Sequence, residues 1–266
     1  MKIEKHLLRE EAINGFIPSI TLYLLDRVED ASLRPIVIII PGGGYVIKAD
    51  NWEGERVAIE YNRAGFNAAI LDYSVHPIHH PQPLLDAMAA ISFVRKNALS
   101  WQSDPNKVVV LGLSAGGHLA AYLSTLWHTY GNGDRVYRPD AAILCYPVIT
   151  TGEFANKDSI RFLTGNKNEN SPEWRELSLE NRVDDNTPPT FLWHTVEDSV
   201  VPVENSLLYA NALRKHSVPF ELHIFPKGDH GLSLCTEELL RTKSVFSRPY
   251  NWIGLSIDWI SELFTL

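Results

Sequence analysis

Residues 107–119 read KVVVLGLSAGGHL, and no other stretch limits the possible folds so tightly. Lys107–Leu111 is a short, β-branched apolar run, the pattern of a buried strand. Beyond Gly116-Gly117 the segment HLAAYLSTLWH is rich in Ala and Leu and reads as a helix. Between them lies Gly112-Leu113-Ser114-Ala115-Gly116, a G-x-S-x-G match. Set between a strand and a helix, that spacing predicts a sharp, strained turn that lifts the Ser114 hydroxyl clear of a sheet. Small residues at 112 and 116 let strand and helix approach closely. The helix N-terminus then favours negative charge developing at the turn.

The rest of the chain supplies a sheet for that turn. Ser19–Leu25, Pro35–Ile40, Asn67–Asp72, Ala141–Tyr146, Thr190–Thr195 and Phe220–Phe225 read as strands. Trp52–Ala64 (closed by Gly65), Leu84–Leu99, Val203–His216 and Tyr250–Phe264 read as helices. PIVIII at 35–40 is apolar at every position, as in a parallel strand covered on both faces. This alternation predicts an α/β fold with a mostly parallel central sheet and helices on both sides. No repeat, low-complexity tract or linker divides the chain, so it reads as a single domain over residues 1–266. The polar, irregular stretch 150–189 is then an insertion between two strands, of the kind that serves as a lid.

Composition removes several function classes. With 266 residues, 45% of them hydrophobic, the chain can bury a large core. A net charge of −8 argues against nucleic acid or an anionic membrane as the main partner. Two cysteines, Cys145 and Cys235, are too few for a disulfide framework, and Cys145 reads as a buried free thiol. The opening MKIEKHLLREEAING lacks the 7–15-residue apolar core of a signal peptide. No run reaches the roughly 18 apolar residues of a membrane span. The expectation is a soluble, cytoplasmic protein.

A serine hydroxyl needs a base within hydrogen-bond reach, and the base needs an orienting acid. In open α/β sheets such groups gather beyond the carboxyl ends of the strands. After TFLWHT comes Val196-Glu197-Asp198-Ser199-Val200-Val201-Pro202, and after FELHIF comes Pro226-Lys227-Gly228-Asp229-His230-Gly231. The expectation is Ser114 as nucleophile, His230 as base and Asp198 as acid. Asp198 is preferred to its neighbour Glu197 because Asp-x-x-Val-Pro fits a turn running into a helix. Asp229 reads as a surface carboxylate, and His194 and His118 as structural histidines. His76, His79 and His80 cluster in a Pro-rich loop, but no Cys or paired carboxylate accompanies them, so no metal site is expected. That loop is a candidate to line the site. Acyl transfer also needs N–H donors for an oxyanion. Ala115 should give one, and Pro41-Gly42-Gly43-Gly44-Tyr45 should give a second through Gly43 or Gly44, because glycines let the backbone turn its N–H groups inward. No G-K-[ST] follows, which argues against a phosphate loop.

Together, PGGGY after a strand, GLSAGGHLAAYLS, PPTFLWHTVEDSVVPVENS and GDHGLSL resemble the α/β-hydrolase-fold serine esterases. They are most similar to the branch near acetylxylan esterases and hormone-sensitive-lipase-like carboxylesterases. The resemblance runs from about Ile36 to Leu234 and implies the same roles for Ser114, Asp198 and His230, with Gly43, Gly44 and Ala115 lining the oxyanion hole. Lipase-like members carry His before the glycines where this chain has Pro41. Pro-Gly-Gly-Gly-Tyr is similar to the sugar-esterase-like subgroup instead.

The expected activity is hydrolysis of short-chain acyl esters, preferring acetyl, on a small molecule, sugar or oligosaccharide, through an acyl-enzyme and without a cofactor. Tyr45, Trp52 and Tyr73 are candidates to stack on a substrate. One alternative is an aminopeptidase or amidase on the same fold, with Glu53 and Glu55 holding a substrate ammonium. The other is a non-catalytic binding module.

Overall fold

Eight strands form one sheet in the order β1-β2-β4-β3-β5-β6-β7-β8, in a computed structural model that describes residues 1–236 and 249–266. They are β1 (Lys2–Leu7), β2 (Ser19–Leu24), β3 (Arg34–Ile40), β4 (Asn67–Asp72), β5 (Ser103–Leu113), β6 (Ala141–Cys145), β7 (Thr190–Thr195) and β8 (Phe220–Phe225). From β4 to β8 all neighbours are parallel, while β1 and β2 run antiparallel at one edge. The helices are α1 (Asp50–Glu53), α2 (Glu55–Arg63), α3 (Gln82–Asn97), α4 (Ala115–Tyr130), α5 (Lys157–Thr164), α6 (Pro172–Glu176), α7 (Glu204–Lys215) and α8 (Trp252–Leu263).

The all-apolar reading of PIVIII follows from strand geometry, in which successive side chains face opposite ways. Ile36, Ile38 and Ile40 join the core that also holds Leu84 and Val94 of α3, Tyr122 and Leu126 of α4 and Leu213 of α7. Val37 and Ile39 join the core on the other face, with Val57 and Tyr61 of α2 and Trp252 and Ile260 of α8. Two positions depart from the pattern reading. KIEKHL at β1 has only two apolar residues, Ile3 and Leu7, and lies largely exposed at the sheet edge, so it carries no buried-strand signal. The helix expected over 52–64 is cut at Gly54, whose φ/ψ of −103°/−98° is not helical, leaving the one-turn α1 and then α2.

Residues 150–189 hold only α5, α6 and a 3-10 turn at Leu179–Asn181. Asn156 caps α5 by accepting the Ser159 N–H, and Ser171 caps α6 by accepting the Trp174 N–H. Ile160, Leu163, Trp174 and Leu177 are buried against the body. The histidine loop docks this insertion. His80 N–H donates to the Leu163 carbonyl at 2.7 Å, His79 Nδ1–H to the Phe162 carbonyl at 3.1 Å, and the His76 ring packs on Phe162. Among the described residues no cluster of His, Cys, Asp and Glu is placed to hold a metal. No helix among them is long and apolar enough to cross a membrane.

Candidate active site

The parallel strands deliver their exit loops to one end of the sheet, and Ser114, Asp198 and His230 meet there. Ser114 sits between β5 and α4 at φ +54°, ψ −120°, a region that non-glycine residues seldom occupy. The turn is tight: a Cβ on Gly116 would lie 2.0 Å from the Ile40 carbonyl oxygen, and one on Gly112 would lie 2.1 Å from that of Gly116.

Ser114 Oγ is 2.7 Å from His230 Nε2, and His230 Nδ1 is 2.7 Å from Asp198 Oδ2. The other carboxylate oxygen, Oδ1, accepts the N–H groups of Val200 (3.0 Å) and Val201 (2.8 Å), which aims Oδ2 at the imidazole. A carboxylate that only accepts puts the His230 proton on Nδ1, leaving Nε2 to accept from the Ser114 hydroxyl. Burial pushes the Asp198 carboxyl up, but hydrogen bonds from His194 and His230 and the Val201 N–H outweigh it and hold the group well below the usual carboxylate range. His194 is fully buried. Its Nε2–H points at the Val201 carbonyl (2.9 Å) and lies 3.2 Å from Asp198 Oδ2, while Nδ1 accepts from the Ser206 hydroxyl at 2.8 Å. The histidine that read as structural is therefore also a support of Asp198. Glu197 points elsewhere and pairs with Lys227 at 3.0 Å, and Asp229 is an exposed acceptor for Ser199.

The glycine loop after β3 lies beside Ser114. Gly43 and Gly44 adopt φ of +122° and +64°, and their N–H groups, like that of Ala115 at the start of α4, donate no hydrogen bond among the described residues. Gly43 and Gly44 line the cavity together with Ser114, and Ala115 is the residue that follows Ser114. Two expected substrate contacts need correction. Tyr45 and Tyr73 are fully buried. The Tyr45 hydroxyl donates to His118 Nδ1 at 2.9 Å and the Tyr73 hydroxyl to the Pro41 carbonyl at 2.7 Å, so both rings brace the glycine loop from beneath. His118 Nε2–H donates to the Leu177 carbonyl at 3.1 Å, which ties the loop to the insertion, and burial pushes its pKa down to about 4. Trp52, by contrast, is 43% exposed on the cavity wall.

The cavity in front of Ser114 has a volume of about 880 Å³. Ile47, Trp52, Phe162 and Val200 give it apolar walls, and Asn156, Asp158 and Ser159 of the insertion give it a polar side. Glu53 and Glu55 do not form a pair. Glu53 is buried, its Oε2 accepting the Gly42 N–H at 2.7 Å and its Oε1 the Tyr146 hydroxyl at 2.8 Å, whereas Glu55 is exposed on a second, smaller groove beside Lys5 and Asp72. Burial pushes the Glu53 carboxyl up, against the Gly42 N–H, the Tyr146 O–H and the nearby His230. Sequence reasoning did not foresee Phe162, Ile47 or Val200 on the wall, nor Glu53 and Tyr146 beneath it. Tyr146 alone carried a signal, as the exit residue of a central strand.

Comparison with known proteins gives a consistent picture. Residues 21–213 match the BD-FAE family. The endo-1,4-beta-xylanase B of Butyrivibrio fibrisolvens is 44% identical over 238 residues, covering 86% of this chain and 36% of that protein. An acetylxylan esterase of Xylanibacter ruminicola is 32% identical over 212 residues, covering 78% of this chain and 43% of that protein. The chain thus spans less than half the length of these two relatives. Among solved structures, an acetyl ester-xyloside bifunctional hydrolase from Caldicellulosiruptor lactoaceticus superposes with a TM-score of 0.85 at 42% identity, over 98% of this chain and 96% of that one. A carboxylesterase from Lactobacillus plantarum superposes with a TM-score of 0.85 at 29% identity, over 100% of this chain and 99% of that one.

Proposed function

This chain belongs to the BD-FAE family and has the α/β-hydrolase fold, and from that premise we propose that it is a serine carboxylesterase cleaving short acyl esters, acetyl above all, on a sugar or oligosaccharide. The observation that carries the reading is the pair of 2.7 Å hydrogen bonds joining Ser114 to His230 and His230 to Asp198 at the wall of an open cavity. Ser114 Oγ attacks the ester carbonyl carbon as His230 Nε2 takes the hydroxyl proton. Asp198 holds the imidazole in the tautomer that accepts it and stabilises the imidazolium. The N–H groups of Gly43, Gly44 and Ala115 receive the charge on the carbonyl oxygen. His230 then protonates the leaving alkoxide, and the acyl group stays on Ser114. A water gives its proton to the same nitrogen and attacks the acyl carbon, and the tetrahedral intermediate then releases the acid as His230 returns that proton to Ser114 Oγ.

Two facts support a short acyl group and a sugar. The relatives include an acetylxylan esterase and an acetyl ester-xyloside hydrolase. The apolar residues of the insertion are mostly spent on anchoring it, with Ile160, Leu163, Trp174 and Leu177 buried and Phe162 left on the cavity wall. A tunnel for long chains would gain up to about 0.8 kcal/mol per buried methylene, and a closed pocket loses roughly 1–3 kcal/mol to overpacking. The test is kcat/KM on acetyl, butyryl and octanoyl p-nitrophenyl esters, beside acetate release from acetylated xylo-oligosaccharides. Acetyl should rank first and Ser114→Ala should abolish turnover; octanoyl ranking first refutes the short-chain reading.

A further inference from the structure

Glu53 is a carboxylate placed where burial is costly. Removing a charged group from water is unfavourable unless its partners compensate, and a well-packed apolar residue often does as well for stability. Glu53 is 3% exposed and belongs to a four-residue helix, too short to stand on its own propensity. What α1 and the residue before it grip are the two peptide groups on either side of the Gly42 Cα. Glu53 Oε2 accepts the Gly42 N–H at 2.7 Å, and the N–H of Ala49, the residue preceding α1, donates to the Gly42 carbonyl at 3.1 Å. Both polar groups of Gly42 are thereby fixed from the same short segment. Gly42 also lies against the nucleophile: a Cβ there would come within 2.8 Å of Glu53 Oε2 and 2.9 Å of Ser114 Cβ. Only an absent side chain lets the carboxylate, the loop and the serine share this space.

The grip extends to the loop that carries His230. Glu53 Oε1 accepts the Tyr146 hydroxyl at 2.8 Å, and that hydroxyl oxygen accepts the Ser233 N–H at 3.0 Å. Ser233 Oγ donates to the carbonyl of Trp52, the neighbour of Glu53, and the Ser233 carbonyl accepts from Trp252 Nε1 at 2.8 Å. The Tyr146 ring meets the His230 ring edge-on, with centroids 5.2 Å apart. One buried carboxylate therefore links the glycine loop, the exit of β6 and the segment after His230.

We propose that Glu53 is the positioning residue of the oxyanion site: by fixing the Gly42 peptide it keeps the next N–H groups, those of Gly43 and Gly44, turned toward the oxygen of the acyl group on Ser114. The inference rests on the serine esterase reading above. Gly42 lends its own N–H to Glu53, and the Gly43 N–H lies in the same peptide plane as the Gly42 carbonyl that the Ala49 N–H holds, so the two bonds together set the path of the chain into Gly43. Because the oxyanion exists only in the transition state and intermediate, loss of the grip lowers kcat and leaves KM nearly unchanged.

The experiment is steady-state kinetics on p-nitrophenyl acetate for wild type, Glu53→Ala, Glu53→Gln and Tyr146→Phe, with thermal unfolding of each and Ser114→Ala as reference. Glu53→Ala strands the Gly42 N–H and should lower kcat by about 10²–10³, the effect of losing one oxyanion donor, with KM within threefold. Glu53→Gln keeps an acceptor for Gly42 and should recover at least tenfold of that loss, which a role in overall stability would not predict for a variant of equal melting temperature. Tyr146→Phe keeps the Gly42 bond and should lose less than Glu53→Ala. If Glu53→Ala does not fold, Glu53→Met, which fills the same space but offers no oxygen to the Gly42 N–H, carries the test with the same expected loss of kcat. A kcat within threefold of wild type in folded Glu53→Ala, or in folded Glu53→Met when Glu53→Ala does not fold, overturns the inference, as does a rise in KM at constant kcat. An active Ser114→Ala overturns the esterase mechanism instead, so the two failures are distinguishable.

Discussion

Replacing Asp198 by Asn should nearly abolish turnover through a single misplaced proton. The Asp198 oxygens are not equivalent: Oδ1 is held by the N–H groups of Val200 and Val201, at 3.0 and 2.8 Å. Those donors select the amide oxygen of an Asn at 198, which sends its NH2 to the position of Oδ2. There it faces His230 Nδ1 at 2.7 Å and His194 Nε2 at 3.2 Å. An NH2 can only donate, so His230 must accept at Nδ1 and carry its proton on Nε2, pointing at Ser114 Oγ. The base then has no lone pair for the hydroxyl proton. The same NH2 confronts the His194 Nε2–H, donor against donor. Loss of the tautomer in such a relay lowers kcat by about 10⁴, equivalent to roughly 5 kcal/mol of transition-state stabilisation. The assay is kcat on p-nitrophenyl acetate at neutral pH, with the far-UV spectrum as a check on folding and ¹⁵N NMR of the imidazoles to locate the proton. Glu197→Gln is the control: its carboxylate pairs with Lys227 on the surface, and kcat should stay within threefold. A folded Asp198→Asn keeping more than a tenth of the wild-type kcat, or a Glu197→Gln that loses more than Asp198→Asn, refutes the reasoning.

Two other perturbations have outcomes set by the geometry. Burial lowers the His118 pKa to about 4, so between its ordinary value near 6.5 and 4 the unfolded chain binds a proton that the folded chain refuses. Stability must then fall as pH drops through that window, by up to about 1.4 kcal/mol per pH unit from this group. His118→Gln should flatten the decline in melting temperature between pH 6.5 and 4, and an unchanged slope would refute the assignment. Gly43→Ala puts a Cβ 2.2 Å from the Ile47 carbonyl oxygen at φ +122°, so the loop must move and its N–H with it. Its kcat on acetyl esters should drop by about 10²-fold or more while the protein stays folded, and full activity would place the oxyanion donor elsewhere.

Local chemistry alone determined much of this protein. The strand–G-x-S-x-G–helix order, the all-apolar run at 35–40 and the Gly run at 42–44 are each confined to a few adjacent residues, because strand alternation and turn sterics act over a few bonds. Asp198 and His230 were legible for a related reason: each follows a short apolar run, and parallel strands deliver such exits to one end of the sheet. Properties that depend on what stands across a gap were not legible. Tyr45 follows the glycine loop and Tyr73 follows β4, yet both rings lie on the core side of the loop, where they are fully buried. Glu53 read with Glu55 as a carboxylate pair that could hold a substrate ammonium, but Glu53 is buried and accepts the Gly42 N–H while Glu55 is exposed. The three histidines read as a cluster, and the fold spreads their hydrogen bonds over the Tyr45 carbonyl, the insertion and α4 instead. Burial and hydrogen-bond partners are set by elements far apart in the chain, so only the assembled sheet and its loops could decide them.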